Sequence, residues 1–425
     1  MEPLKVIVLG AGGRGGRYTD IMGEYPDRFK VVGVAEPIED RREYIRKKHN
    51  VPEENCFVTW EHALEREKFA DICIISTMDQ MHYAPAMKAI ELGYDLLLEK
   101  PVAPTPEECA EIYAQAKKYN AKIMVCHVLR YAPYFMQLKQ IIESGILGDI
   151  VSVEHIEAVG NRHQSHSFVR GNWGNADRST FMLLQKCCHD LDILQWLLDK
   201  DCKKIQSFGS LKHFKPENAP AGAPDYCWQG CPHGETCYYN AVKLYFDDKL
   251  NGWFRKAASM KHDPTDEEVM EGLKNTQYGK CVYKCDNNVV DHQTVNMVFD
   301  GDITVTMTMC AFTQGGRKTH IMATNGELFC DMSNKSFEFY DFATREKREL
   351  TAEIAIGGDS IVSGHGGGDQ GTVNALYDYM TGKLSAEEVS EIGISCKNHM
   401  IVFAAEESRL TDQVIHLDEY AKKYM

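Results

Sequence analysis

Gly10-Ala-Gly12-Gly13-Arg14-Gly15 directly follows the apolar run Leu4–Leu9 and opens a stretch of helical spacing. Glycines in that context build a phosphate cradle. Gly10 permits a tight turn, Gly12 lets the backbone approach a pyrophosphate, and Gly15 lets the helix pack closely on the strand. Free N–H groups at the helix start are left to hold the anion, with Gly13 and Arg14 in the same turn. Roughly twenty residues on, Glu36 ends Val31-Val-Gly-Val-Ala-Glu36, where a carboxylate accepts both hydroxyls of an adenosine ribose and repels a 2′-phosphate. Arg41 and Arg42 would offset part of that repulsion, so the cofactor expected is NAD, with NADP less favoured. Ser76-Thr77-Met-Asp-Gln-Met-His82 and Glu99-Lys100-Pro101 each follow an apolar run. Thr77, His82, Glu99 and Lys100 therefore fall at the carboxyl ends of strands, where open α/β sheets bind ligands. A lysine there, beside a nicotinamide, can polarise a substrate hydroxyl.

A second set lies further on. Lys186, His189 and Asp192 recur every three residues, and Asp190 is four from Lys186, so a polar stripe runs down an otherwise apolar helix. Burying several ionisable groups together is costly unless they pair or serve a site. The polar stretch 161–173 mixes His163, His166, Arg170 and Trp173, a combination suited to a carbohydrate, with hydrogen bonds at the edges and an aromatic platform for C–H faces. A solvated loop is the plain alternative. Gly364-His365-Gly-Gly-Gly-Asp369 reads as a flexible loop ending at a helix start, with His365 and Asp369 available to a pocket.

The elements needed to position these groups can be read from periodicity. Short apolar runs at 4–9, 29–35, 57–59, 71–77, 95–98 and 122–128 alternate with helical patterns at 13–24, 40–48, 81–92 and 106–119, which predicts a parallel sheet. Gly93 marks a helix stop. From about 130 the pattern changes to a helix 134–144, a strand 150–158, an irregular stretch 160–180, a long helix 181–199 and a strand 203–211. Strands at 292–299, 302–312, 317–324, 326–332 and 335–342, with turns at Asp300-Gly301 and Asn325-Gly326, read as an antiparallel meander. Helices 370–381 and 389–408 follow. The fold class expected is α/β: an N-terminal Rossmann parallel sheet over 1–128, then a C-terminal α+β domain over 129–425 with an open, mainly antiparallel sheet. That second domain carries a Cys-containing insertion at 213–290, and its C-terminal helices pack back.

The 425 residues carry 47 Lys+Arg against 62 Asp+Glu, a formal net charge of −15, which disfavours nucleic acid and anionic lipid as partners. No apolar stretch approaches the roughly 18 residues of a membrane helix, and no secretory pattern precedes Lys5, so a cytoplasmic location is expected. Many of the 15 cysteines lie in apolar runs, such as Cys73 and Cys126, and read as reduced core thiols. Cys227, Cys231, Cys237 and Cys285, with His233 and Cys281 nearby, sit in a loop with little apolar content. Such a set suits a structural Zn²⁺, against reduced or redox-sensitive thiols.

The glycine fingerprint, the Thr-x-x-x-x-His step, Glu-Lys-Pro, Arg130-Tyr-x-Pro133 and Gly145-Ile-Leu-Gly148 together resemble the glucose-fructose oxidoreductase / inositol dehydrogenase / MocA family over nearly the whole chain. The resemblance implies an NAD-dependent dehydrogenase acting on a secondary alcohol of a sugar, polyol or glycoside. The alternative it leaves open is a redox-assisted glycosidase or lyase. It assigns His189 and Lys100 as the acid/base pair; Lys186 stands beside them, and the candidates toward substrate are Arg130, Gln185, Asp190 and His365 together with His166, Arg170 and Trp173 of the polar stretch. It also implies a homodimer or homotetramer built on the outer face of the second sheet. One departure is visible: the family carries Asp four residues before the histidine, and Gln185 stands there, able to hydrogen-bond but not to accept a proton.

Overall fold

The computed structural model describes residues 2–246, 252–350 and 364–425. Strands β1 (Leu4–Leu9), β2 (Phe29–Ala35), β3 (Cys56–Phe57), β4 (Ile72–Ile75), β5 (Asp95–Leu98) and β6 (Ile123–Val125) pair in parallel in the order β3-β2-β1-β4-β5-β6. Parallel strands of this kind are apolar on both faces and need cover on each. The crossovers α1 (Gly13–Gly23), α2 (Glu39–His49), α3 (Trp60–Leu64), α4 (Tyr83–Glu91) and α5 (Pro106–Tyr119) supply it. Capping chemistry fixes the helix ends. In α5, Thr105 accepts the Glu108 N–H, Pro106 fills the first turn, and Asn120 closes the helix at φ 52°. The order of strands reverses between β1 and β4, so the binding crevice opens above their carboxyl ends.

After α6 (Pro133–Glu143), the second sheet comprises β7 (Ile150–Ala158), β8 (Cys202–Ser210), β9 (His292–Phe299), β10 (Ile303–Cys310), β11 (Gly316–Ala323), β12 (Gly326–Asp331), β13 (Ser336–Asp341), β14 (Glu346–Glu349) and β15 (Ile415–His416). Its order is β14-β13-β12-β11-β7-β10-β9-β8-β15. The meander expected from the turns is therefore interrupted. β7 lies between β10 and β11, parallel to the first and antiparallel to the second. Tight turns join the pairs β9–β10, β11–β12 and β12–β13, whereas residues 311–315 cross the end of β7, where Val159 and Asn161 donate to the carbonyls of Cys310 and Thr313.

Of the stretch 160–180 expected to be irregular, 171–180 does run as turns and bends, whereas 161–170 is helical. α7 (Asn161–His163) runs on as a π-helix, Gln164–Arg170, whose residues are all buried. The long helix is likewise compound, with a π-helical segment, Leu183–Cys187, leading into α8 (Cys188–Leu198). In the insertion, α9 (Ala241–Phe246), α10 (Gly252–Ser259) and α11 (Asp266–Asn275) enclose a small core of their own built from Leu244, Tyr245, Phe254, Val269 and Leu273. α12 (Gly368–Met380), α13 (Ile392–Thr411) and α14 (Leu417–Ala421) complete the chain. Val373, Leu376 and Tyr379 of α12 share a core with Val6, Val8 and Met124 of the first sheet. Ser390 also brackets the edge strand β6: its carbonyl accepts the Val125 N–H at 2.8 Å and its hydroxyl donates to the Val125 carbonyl at 2.6 Å.

Candidate active site

At the glycine turn the four glycines divide into two pairs. Gly10 has φ +88°, and a Cβ there would lie 2.6 Å from the Ser76 carbonyl oxygen; a Cβ on Gly15 would overlap the Gly10 carbonyl. These two shape the turn. Around Gly13 nothing stands within 4 Å of an added Cβ, and around Gly12 only the Arg41 guanidinium does, at 3.7 Å. That open side, at the start of a helix with no side-chain cap, fits a pyrophosphate. The buried Glu36 carboxylate accepts the Ala11 N–H at 2.7 Å and the Ile38 N–H at 3.0 Å, which holds it against the turn. Arg42 donates to the Glu36 carbonyl at 2.6 Å, so it is tied to the backbone beside the carboxylate rather than facing a 2′-phosphate.

Arg14 is placed differently from a phosphate ligand. It bonds Glu99 through Nε at 2.9 Å, and through Nη2 it bonds the Tyr18 hydroxyl at 2.6 Å and Asp369 at 2.8 Å. Burial alone would raise the Glu99 carboxyl, but Arg14 and Lys100 outweigh it and hold the group below its ordinary value. Arg14 thus clasps α1 to the end of β5 through Glu99 and to the start of α12 through Asp369. Thr77 donates to the Met81 carbonyl at 3.0 Å, and the buried His82 spans the Pro101 carbonyl (2.6 Å) and the Thr77 carbonyl (3.2 Å). Both brace the two loops that carry the site.

The loop after β4 is also tied to the second half of the chain through Asp79, which the sequence reading passed over. Its carboxylate accepts the hydroxyls of Ser179 and Thr180, each at 3.0 Å, and the Trp173 indole N–H at 3.3 Å. Trp173 is therefore anchored by its polar edge. Lys100 crosses in the opposite sense, its Nζ donating to the Gln185 carbonyl at 2.7 Å. That bond brings the end of β5 to the π-helical segment just before His189. His189 is nearly buried, and its ring meets His127 edge-on at 6.0 Å between centroids. Burial pushes His127 down to about 4, although Asp192 lies 3.7 Å away and pulls the other way.

Beneath α8, Lys186 pairs with Glu157 at 3.2 Å, Glu157 with Arg317 at 2.7 Å, and Arg317 with Asp190 at 2.7 Å; Asp190 also meets His155 at 2.9 Å. Arg317 and His155 outweigh the burial that would raise the Asp190 carboxyl and hold it far below the ordinary range. Asp190 thus fastens α8 to the sheet and is not open to substrate. Three other candidates are corrected in the same way. Arg130 forms a bidentate pair with Asp192 at 2.8 and 2.7 Å, and both residues are buried. His166 is inside the insertion's core, stacked on Phe254 at 3.9 Å, 2.6 Å from the Tyr245 hydroxyl and pushed down by burial to about 3. The fully buried Arg170 donates to the carbonyls of Lys280 and Tyr239. These groups look alike in sequence whether a core or a ligand satisfies them. His365 lies in the short turn Gly364–Gly367 before α12, and its side chain lies outside the described residues.

The zinc expectation is not met. Among the described residues no three His, Cys, Asp or Glu are placed to share an ion. Cys227, Cys231 and Cys237 line one small cavity with Cys281, whereas the Cys285 thiol donates to the Cys281 carbonyl and is pushed by burial to about 11. Packing of Phe214, Tyr239, Val282 and Tyr283 gives the loop its core. The cysteines are free thiols, as the apolar runs implied.

The fold agrees with the comparisons. The family description "Oxidoreductase family, NAD-binding Rossmann fold" matches residues 4–127, and "GFO/IDH/MocA C-terminal domain" matches 135–254. The chain belongs to the Gfo/Idh/MocA oxidoreductase family. Among its Gfo/Idh/MocA relatives, the putative oxidoreductase YteT of Bacillus subtilis (strain 168) is 22% identical over 378 residues, covering 84% of each chain. Inositol 2-dehydrogenase of Salmonella typhimurium (strain LT2) is 23% identical over 206 residues, covering 48% of this chain and 57% of its own. The crystal structure of aldose-aldose oxidoreductase from Caulobacter crescentus, complexed with glycerol, superposes with TM-score 0.67 at 11% identity, covering 98% of this chain and 100% of its own. This Gfo/Idh/MocA chain therefore carries an NAD-binding Rossmann sheet joined to a mixed second sheet. None of its described helices is long and apolar enough to cross a membrane.

Proposed function

We propose that this protein transfers a hydride between NAD and a secondary alcohol of a sugar, polyol or glycoside. The observation that carries the reading is the Lys100–Gln185 bond at 2.7 Å, which joins the lysine at the end of β5 to the segment bearing His189. The nature of the named relatives as sugar and polyol enzymes supports the substrate class. The open backbone at Gly12 and Gly13 would hold the pyrophosphate, and Glu36 the adenosine ribose. NAD, when bound, supplies the hydride acceptor or donor. His189 takes the hydroxyl proton as general base, and the Lys100 ammonium stabilises the oxygen as its negative charge grows. Asp79, Thr77 and His82 keep the two loops in register.

The test is incubation of the purified protein with NAD and a panel of sugars, polyols and glycosides, following NADH absorbance and product together. Matching NADH and oxidised product support the reading. Failure to bind NAD, measured separately by calorimetry, removes it.

A further inference from the structure

Of the polar and aromatic groups in the stretch 161–173, His166 and Arg170 are committed to buried contacts within the insertion, and Trp173 to Asp79. His163 is placed otherwise. The end of β7 is fixed beside Lys186 by the 3.2 Å pair with Glu157, and after the turn at Gly160, with φ +86°, His163 closes α7. It is half-buried there, within electrostatic reach of Lys186, Arg317 and Lys100. Burial first, then Lys186, His166, Arg317 and Lys100, push its proton affinity well below the ordinary value, which leaves a neutral imidazole with one donor and one acceptor. Against it stands Trp253, on α10 of the insertion. The indole is perpendicular to His163 at 5.3 Å between centroids, and perpendicular to His166 at 4.8 Å and to Phe254 at 4.2 Å. At 47% it is the most exposed of the five tryptophans, whereas Phe254 beside it is 2% exposed. A ring of that size held by its neighbours and left half open forgoes apolar burial that a ligand can restore. From His163 the row of rings continues to Phe168 at 5.5 Å and on to Trp173 at 6.4 Å, so it runs from the insertion to the loop after β4.

Resting on the oxidoreductase reading above, we propose that the substrate carries a second ring joined by a glycosidic bond, which stacks on Trp253 and hydrogen-bonds His163 while the reacting ring lies at Lys100 and His189. His163 is the link between the two places, near Lys100 on one side and against Trp253 on the other. A pyranose offers an apolar C–H face to an indole and hydroxyls at its edge to an imidazole, and an aromatic aglycone offers a flat face of the same kind. The insertion thus supplies the distal half of the substrate site.

The experiment compares maltose, cellobiose, lactose and phenyl β-D-glucoside with D-glucose, D-galactose and methyl β-D-glucoside as substrates of the full chain with NAD. The two-ring compounds are expected to exceed the single-ring ones by at least about fivefold in kcat/KM. Preference for a disaccharide assigns a second sugar, and preference for the phenyl glucoside assigns an aromatic aglycone. Trp253→Ala is expected to raise KM for the preferred two-ring compound about fivefold with kcat little changed, and Trp253→Phe to recover most of it. Since Trp253 also packs on His166, a second readout uses the unaltered protein. Oxidation of Trp253 by N-bromosuccinimide is followed by peptide mass spectrometry in the NAD complex, with the exposed Trp228 as control. Two-ring compounds should protect Trp253, and glucose should not; where no compound turns over, this protection decides. Equal use of one-ring and two-ring compounds, or oxidation of Trp253 that none of them slows, overturns the second-ring assignment and leaves the oxidoreductase reading intact. Loss of NAD binding would instead strike the underlying reading.

Discussion

His189 and His127 show how neighbouring imidazoles of the same type separate into different roles. His189 keeps 6% of its surface accessible, whereas His127 is fully enclosed and held near 4. Replacing His189 by Asn should lower turnover by at least about a hundredfold, as expected for loss of a general base, with NAD affinity retained. Steady-state kinetics with calorimetric NAD titration checks both halves, and unchanged turnover would remove the residue from that role. Enclosed neutral rings also govern acid stability. His127, His166 and His399 have folded values of about 4, 3 and 3, below the unfolded histidine value of roughly 6.5. A depressed histidine contributes stability that is fully present above the unfolded value and is lost as pH falls toward the folded one. Urea unfolding should therefore weaken between pH 7 and pH 5 by on the order of 2 kcal/mol for a single ring. His166→Phe, which retains the stack on Phe254, should flatten that dependence. Single residues also mark where the sequence was readable. The positions of Gly10, Gly15, Glu36 and Lys100 just beyond strands were legible because spacing from the preceding apolar run fixes where they fall. His166, Arg170 and Arg130 were misassigned because nothing local distinguishes a polar group paired with Tyr245, Tyr239 or Asp192 from one awaiting a ligand.

The elements that position the site are less regular than periodicity implied. The spacing of Lys186, His189 and Asp192 predicts one continuous helix, but the π-helical Leu183–Cys187 widens it just before His189. Segments of this kind are uncommon and concentrate where function needs a side chain re-aimed. The widened turn turns the Gln185 carbonyl outward to Lys100. Deleting Leu184 should contract the segment to an α-helix and rotate its upstream part by about 100° relative to His189. Activity should then fall below detection while far-UV circular dichroism stays close to that of the parent; a deletion variant with normal kcat would show that the π geometry is immaterial. The interruption of the meander by β7 was equally invisible. A turn signal names the two strands it joins, and the partner of a strand on its other edge depends on which buried face must be covered. Val153, His155 and Glu157, all buried, set β7 in the middle of the sheet. The insertion's helices escaped notice because their apolar residues serve a private core rather than the main one.

At the scale of the molecule, the second sheet has helices on one face only among the described residues. On its outer face a register row runs Phe208, Thr294, Thr308, Ile156, Lys318, in which Phe208 and Ile156 remain 51% and 40% exposed. A flat face of threonines and isolated apolar groups is the surface on which a second copy would sit. Sedimentation should accordingly give at least twice the mass of one chain, and Ile156→Glu combined with Phe208→Glu should reduce it to one. A monomeric parent protein would leave that face without this role. The other whole-molecule feature is the clasp of Arg14, Glu99, Tyr18 and Asp369, together with Ser390 on β6. The ribosome makes Arg14 long before Asp369, 355 residues further along the chain. A nascent polypeptide halted before residue 369 should therefore hold the dinucleotide more weakly than one extended past the clasp.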